Sequence, residues 1–232
     1  MATECLPIAR GRVLRLTRLN ECGAIVEGLT STLVTGMVSV APTANYLDPE
    51  EIQQADANGD LCIDDRGPVQ LRWIDLTIVL CVLDPFFVNI VTGDPLVVDD
   101  AVAPNTVGFR IDKELTGSAH FALEMWGNVS GQACDPAGNP TFAYWLFPWV
   151  RDAQWGEWTL QNGALTTTFT ARAVAGGGWG VGPYEIRRDA VTPATLEPLL
   201  TAIGADEVMH FQATTLEPPT AACGAIELDT TP

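Results

Sequence analysis

Asp56, Asn58 and Asp60 set three oxygen-bearing side chains at alternate positions around Gly59, the arrangement that opens a calcium-binding loop. A complete loop of the helix–loop–helix type needs glycine at its sixth position and a bidentate glutamate at its twelfth. Those places hold Leu61 and Gly67, so the largest ligand charge is missing. A polar turn leading into Leu61–Ile63 is the better account. A weaker calcium site that also uses Asp64 or Asp65 stays open.

Catalytic chemistry has little to draw on. His120 and His210 each stand beside phenylalanine in a strand-like context, and neither adjoins a serine or cysteine in a nucleophile motif. The paired carboxylates Asp64–Asp65 and Asp99–Asp100 lie in polar stretches, where solvation is the ordinary explanation. Six cysteines (Cys5, Cys22, Cys62, Cys81, Cys134 and Cys223) are too widely spaced for a zinc or redox pair. Reduced, buried thiols are expected, with Cys5 and Cys22 the pair best placed to bond after release. No catalytic, cofactor-binding or metal residue is nominated.

Two further clusters concern surfaces. Arg10, Arg12, Arg15 and Arg18 form the one dense basic run, either a solvated face or a patch for the acidic surface of an identical neighbour. Trp145, Trp149, Trp155, Trp158 and Trp179 gather late in the chain. Exposed rings would serve as a sugar platform; the apolar flanks of Trp145–Trp149 favour core or interface. Gly176–Tyr184 packs five glycines, a proline and two aromatics into nine residues. Backbone so permissive suits close packing and assembly, and Pro183–Tyr184 stands where a phosphate loop needs a helix and a cation.

The elements that must position these groups read as β throughout. Val13–Leu19 alternates as a half-buried strand, and 33–40 is β-prone with a break at Gly36. Leu71–Leu83 is the strongest strand and is expected to be central. Further strands are expected over 109–112, 119–126, 142–150, 155–160, 165–173 and 208–216. Asp84–Pro85 caps a short helix that stops at Gly93; Thr192–Pro193 repeats the opening and predicts a second over 194–203. About ten strands and two short helices give one mainly β domain over residues 1–232, an antiparallel sandwich or barrel. Two long polar stretches, about 42–68 and 93–107, are expected to be inter-subunit loops.

Composition limits the partners. With 47% hydrophobic and 18% charged residues the chain is globular, and its formal charge of −17 repels nucleic acid and anionic membrane. The longest apolar run, Trp73–Val82, is interrupted by Asp75 and falls short of the ~20 residues of a membrane helix. Met1–Pro7 has no apolar stretch, so no signal peptide is expected, and the protein is expected to stay in the cell until release.

An ordered series of segments resembles the major tail protein, or tail tube protein, of long-tailed siphophages infecting actinobacteria. They are ARGRVLRLTRLNECG (9–23), ANGDLCI (57–63), LRWIDLTI (71–78), DPFFVNIVTG (84–93), ALEMWGNVSGQAC (122–134), FPWV (147–150), GGGWGVGPYEI (176–186) and HFQATTLEPP (210–219). The resemblance implies a tail-tube β domain with a flanking helix at Asp84–Gly93. Six copies would close a ring, and rings would stack into a hollow virion tube that conducts the genome at ejection. The implied partners are the chain itself, tape measure and tail terminator proteins, and DNA that passes without specific binding. Assembly in the host bacterial cytoplasm is implied, and no enzyme activity, cofactor or metal is. A distal tail or tube-terminating ring protein is a near neighbour of this reading. The competing class is a calcium-assisted β-sandwich module binding carbohydrate or host surface through Asp56–Asp60 and the late tryptophans.

Overall fold

The computed structural model describes residues 6–99, 105–113, 119–130, 134, 138–160 and 162–228. Among the described residues the chain is mainly β with one short helix. In order come β1 (Ile8–Leu19), β2 (Gly28–Val34), β3 (Met37–Leu47), β4 (Glu51–Ala55), β5 (Leu61–Arg66), β6 (Gln70–Leu80), α1 (Pro85–Thr92), β7 (Leu96–Val98) and β8 (Thr106–Phe109). Then follow β9 (His120–Val129), β10 (Phe142–Thr159), β11 (Thr166–Ala173), β12 (Arg187–Arg188), β13 (Leu196–Glu197), β14 (His210–Thr214) and β15 (Ala222–Leu228).

One antiparallel sheet runs β15-β2-β1-β9-β10-β11-β6-β3, with β14 added beside the first part of β10. It curls so that Leu14 and Leu16 of β1 share a core with Leu76, Ile78 and Leu80 of β6 and Phe169 of β11. This is a sandwich-like fold. A closed barrel is not formed, because β3 and β15 end the sheet without a ladder between them among the described residues.

Helix α1 lies in the fold of the sheet and buries Phe86, Phe87, Val88, Ile90 and Val91. Its start is fixed by Asp84, which accepts from the Phe86 N–H at 2.9 Å, and by proline in the first turn. Gly93, with φ of 80°, ends it in the left-handed conformation.

Several expectations are corrected. The second helix over 194–203 does not form: Asp189 accepts from the Val191 and Thr192 N–H groups, and a tight hairpin pairs β12 with β13 instead. Stretches 142–150 and 155–160 are one bulged strand, β10, turned at Asp152 with φ of 56°. β6 lies between β11 and the edge strand β3, so it is next to last and not central. Strand β8 ends where a strand over 109–112 was expected to begin. The stretch 42–68 is not a loop either, since the far half of β3, the β4–β5 hairpin and the approach to β6 occupy it.

Candidate assembly surface

The basic run of β1 is divided by its own strand. Arg15 lies opposite Glu124 of β9 and grips it with two bonds of 2.5 and 2.6 Å. Tyr144 donates to the same carboxylate at 2.7 Å, and the Arg15 guanidinium lies 3.3 Å from the centre of the Tyr184 ring. Tyr184 in turn contacts Thr17 at 2.8 Å and donates to Ser31 at 3.0 Å. Burial pushes both tyrosines above the usual phenol range, Tyr144 strongly. Burial works against the Arg15 charge, yet Glu124 more than offsets it and the guanidinium is held charged more firmly than usual. Arg18 turns inward to bond Asn89 of α1, and its loss of solvent lowers its pKa.

Arg10 and Arg12 alone of the four stay exposed. The β1–β9 ladder shifts at Ala9/Gly11 and again at Gly11/Val13, which leaves both arginines out of register as bulge residues. A contiguous arginine patch is therefore not formed.

The glycine-rich segment packs within the chain's own fold. Gly178 donates to the Gly23 carbonyl at 2.8 Å, and a Cβ on Gly23 would lie 2.6 Å from the Gly177 Cα. The segment carries Trp179, Tyr184 and Ile186 onto the outer face of β1, β9 and β10, making a second core with Val13, Trp126 and Leu146.

Most of the late tryptophans are likewise committed to packing. Trp149 donates to His120 Nδ1 at 2.9 Å, Trp155 donates to the buried Asp94 at 2.7 Å, and Trp145 packs on Phe211 with ring centres 5.2 Å apart. Trp158 is the exception, 61% exposed. His210 bonds Gln212 two residues along its strand. No histidine approaches a nucleophile in these contacts.

At Asp56 the carboxylate closes its own turn, with Oδ1 accepting from Asn58 N–H at 2.8 Å and Asp60 N–H at 2.9 Å. Those bonds hold the carboxyl below its usual range. Among the described residues no cluster of histidine, cysteine or acidic side chains is arranged to hold a metal ion. Asp99 bonds its own hairpin through the Asn105 N–H, whereas Asp100 lies outside the described residues. The described cysteines are free as expected, but Cys22, Cys62, Cys81, Cys134 and Cys223 are exposed and not buried. Cys5 lies outside the described residues.

What stands clear of the body is an arm. The β3–β6 ladder runs out to Leu47 opposite Gln70, and the β4–β5 hairpin continues from it, exposed at every residue. Tyr46, Leu47, Ile52, Leu61, Ile63, Val69 and Leu71 all stand in solvent on this arm, 42% to 60% exposed. Ile52 and Ile63 fall on one face of the hairpin with Gln54 and Asp65. Residues 48–66 carry seven acids and the single cation Arg66, which pairs with Glu51. A two-stranded hairpin without a packed face is marginal in water, and clustered exposed apolar side chains mark contact surfaces. The second expected arm differs: β7 and β8 pair, and Phe109 stacks on Trp155 with centres 5.4 Å apart, which ties that hairpin to the body. Residues 100–104 lie outside the described ones.

Among the described residues the two ends of the main strand path, β3 and β15, are unpaired borders. Both can accept a strand from another chain. Sequence reading found the arm as a stretch but not as strands, because its polar residues hide the alternation. Among the described residues no helix is long and apolar enough to cross a membrane. No protein-family model matches this chain, and no curated protein matches it.

Proposed function

We propose that this chain is a structural subunit that assembles with itself into the tail tube of a long-tailed phage. The observation that carries the reading is the exposed, apolar-studded arm from Tyr46 to Leu71 on an otherwise well-packed body. Open borders at β3 and β15 supply backbone for ring closure between copies, and the arm supplies contact beyond the ring. The resemblance to tail tube proteins gives the form: hexameric rings stacked into a conduit for DNA within the virion, built in the host cytoplasm. Tape measure and terminator proteins would meet it there. A net charge of −17 suits a channel wall that does not retain DNA. The role needs no catalytic residue.

The carbohydrate-binding alternative draws less support. Its calcium carboxylate is spent on its own turn, and four of its five late tryptophans are at least partly packed into the body. Negative-stain electron microscopy with light scattering on concentrated protein tests the choice. Hollow rings or tubes of uniform diameter are expected. A monomer that gains melting temperature with calcium, or changes tryptophan fluorescence with glycans, overturns the reading.

A further inference from the structure

Beside the base of the arm lies an apolar groove of about 490 Å³, at the place where the sheet stops short of closing. Its lining includes Met37 and Val40 of β3, Met125 of β9, Trp145 and Phe147 of β10, and Met209. The chain has four methionines, and three of them are here, giving walls that can adapt to an incoming side chain. Two backbone borders flank it. Among the described residues β3 is paired only with β6, and β2 takes up only Leu14–Thr17 of β1, so the stretch before Leu14 is paired on its β9 side alone.

Among the described residues the only charged one in the lining is Arg10. It holds φ of 59°, a conformation uncommon for arginine, as a bulge residue outside the β9 ladder. Its guanidinium is exposed, and it is one of only 12 basic residues against 29 acidic ones. A guanidinium at the rim of an apolar groove selects an occupant that is apolar with an acidic border.

We infer that the groove receives the β4–β5 hairpin of a second copy of this chain, with Ile52 and Ile63 entering the apolar walls and Asp64 or Asp65 meeting Arg10. The hairpin has the required chemistry: two isoleucines on one face, seven acids over residues 48–66, and no intramolecular surface covering it among the described residues. Groove and hairpin lie on different parts of the chain, the condition for a head-to-tail contact that can propagate from copy to copy. The inference rests on the self-assembly reading and names its joint.

The test uses the full chain with a photo-cross-linking phenylalanine analogue in place of Ile63, irradiated at high protein concentration. Cross-links between copies are expected in peptides containing Met37–Pro42 or Trp145–Phe147. The exposed double variant D64R/D65R should weaken association about tenfold, and mixing it with R10D protein should restore the joint. Copies that associate but cross-link elsewhere would overturn the groove while leaving self-assembly standing. A chain that never associates overturns both. Loss in D64R/D65R without rescue by R10D would remove Arg10 from the contact.

Discussion

β1 and β6 belong to the same sheet and contribute to the same core, yet their outer faces meet different fates. From Val13 to Leu19 β1 is buried on both sides but for a half-buried Arg18, because the Gly176–Tyr184 segment roofs its outer face. β6 alternates: Ile74, Leu76, Ile78 and Leu80 are buried, while Trp73, Asp75, Thr77 and Val79 retain solvent contact. Its first residues then run into the arm, where little is buried at all. A roofed strand can hold a buried ion pair, because each charge is desolvated together with its partner. An unroofed strand has surface left for other molecules. On the proposed reading, stability is concentrated in the first region and association in the second.

The sharpest way to break this contrast is at Glu124. Replacing it with alanine strands the Arg15 charge in the second core and is expected to cost about 3–5 kcal/mol in urea unfolding. The double replacement Arg15→Met, Glu124→Leu should recover most of that loss. A small effect from Glu124→Ala would show that the roof does not exclude water.

Asp84 comes next. It caps α1 and also accepts from Gly224 N–H at 2.9 Å and Thr32 at 3.2 Å, so it ties the border strand β15 to the helix. Asp84→Ala should cost about 1–2 kcal/mol and hasten proteolysis within β15 before global unfolding.

Alkali acts on the roofed region by direction. Tyr144 and Tyr184 have folded pKa values raised by burial above their unfolded ones. Their contribution is therefore complete below the unfolded phenol pKa and is lost as pH rises through the folded values. Tyrosinate absorbance from these two rings should appear together with loss of near-ultraviolet circular dichroism. Acid acts on the arm instead: the Asp56 pKa is lowered by its backbone bonds, so the turn's support is lost as pH falls through the folded value. Protection factors at Asn58 and Asp60 should then fall while the roofed strands stay protected.

The smallest effect on folding should come from Ile52→Ser with Ile63→Ser, within about 0.5 kcal/mol for each exposed site. The same pair should abolish self-association measured by light scattering. Equal losses of stability from arm and roof variants would erase the contrast.

Asp84–Pro85 and Thr192–Pro193 show how far sequence reading reaches. Both dipeptides announce a helix, and only the first delivers one. After Pro85 come FFVNIV, whose five apolar side chains the core buries. After Pro193, Pro198 removes a donor five residues on, and Asp189 caps a turn instead. The Gly36 break was legible for the same local reason; β1 was legible as a strand, but the expected half-buried alternation gave way to burial on both faces from Val13 to Leu19, because the roof is supplied by a segment far along the chain. β15 was not foreseen, because it follows Pro218–Pro219 and gains its order from pairing with β2. The arm was seen as a long stretch, but its hairpin pairing was hidden by polar residues on both faces.

By itself the sequence determined the β class, the α1 helix with both of its caps, and an acid excess that no folding can alter. These follow from periodicity, cap chemistry and composition, which act within a few residues or over the whole chain. Tertiary structure alone decided that Arg15 is internal and Arg10 external, that the glycine-rich run is a roof, and that Arg10 borders an apolar groove. Those outcomes depend on register and bulges between segments more than a hundred residues apart, such as Arg15 and Glu124. A single bulge reverses which face a side chain occupies, and no local pattern records it.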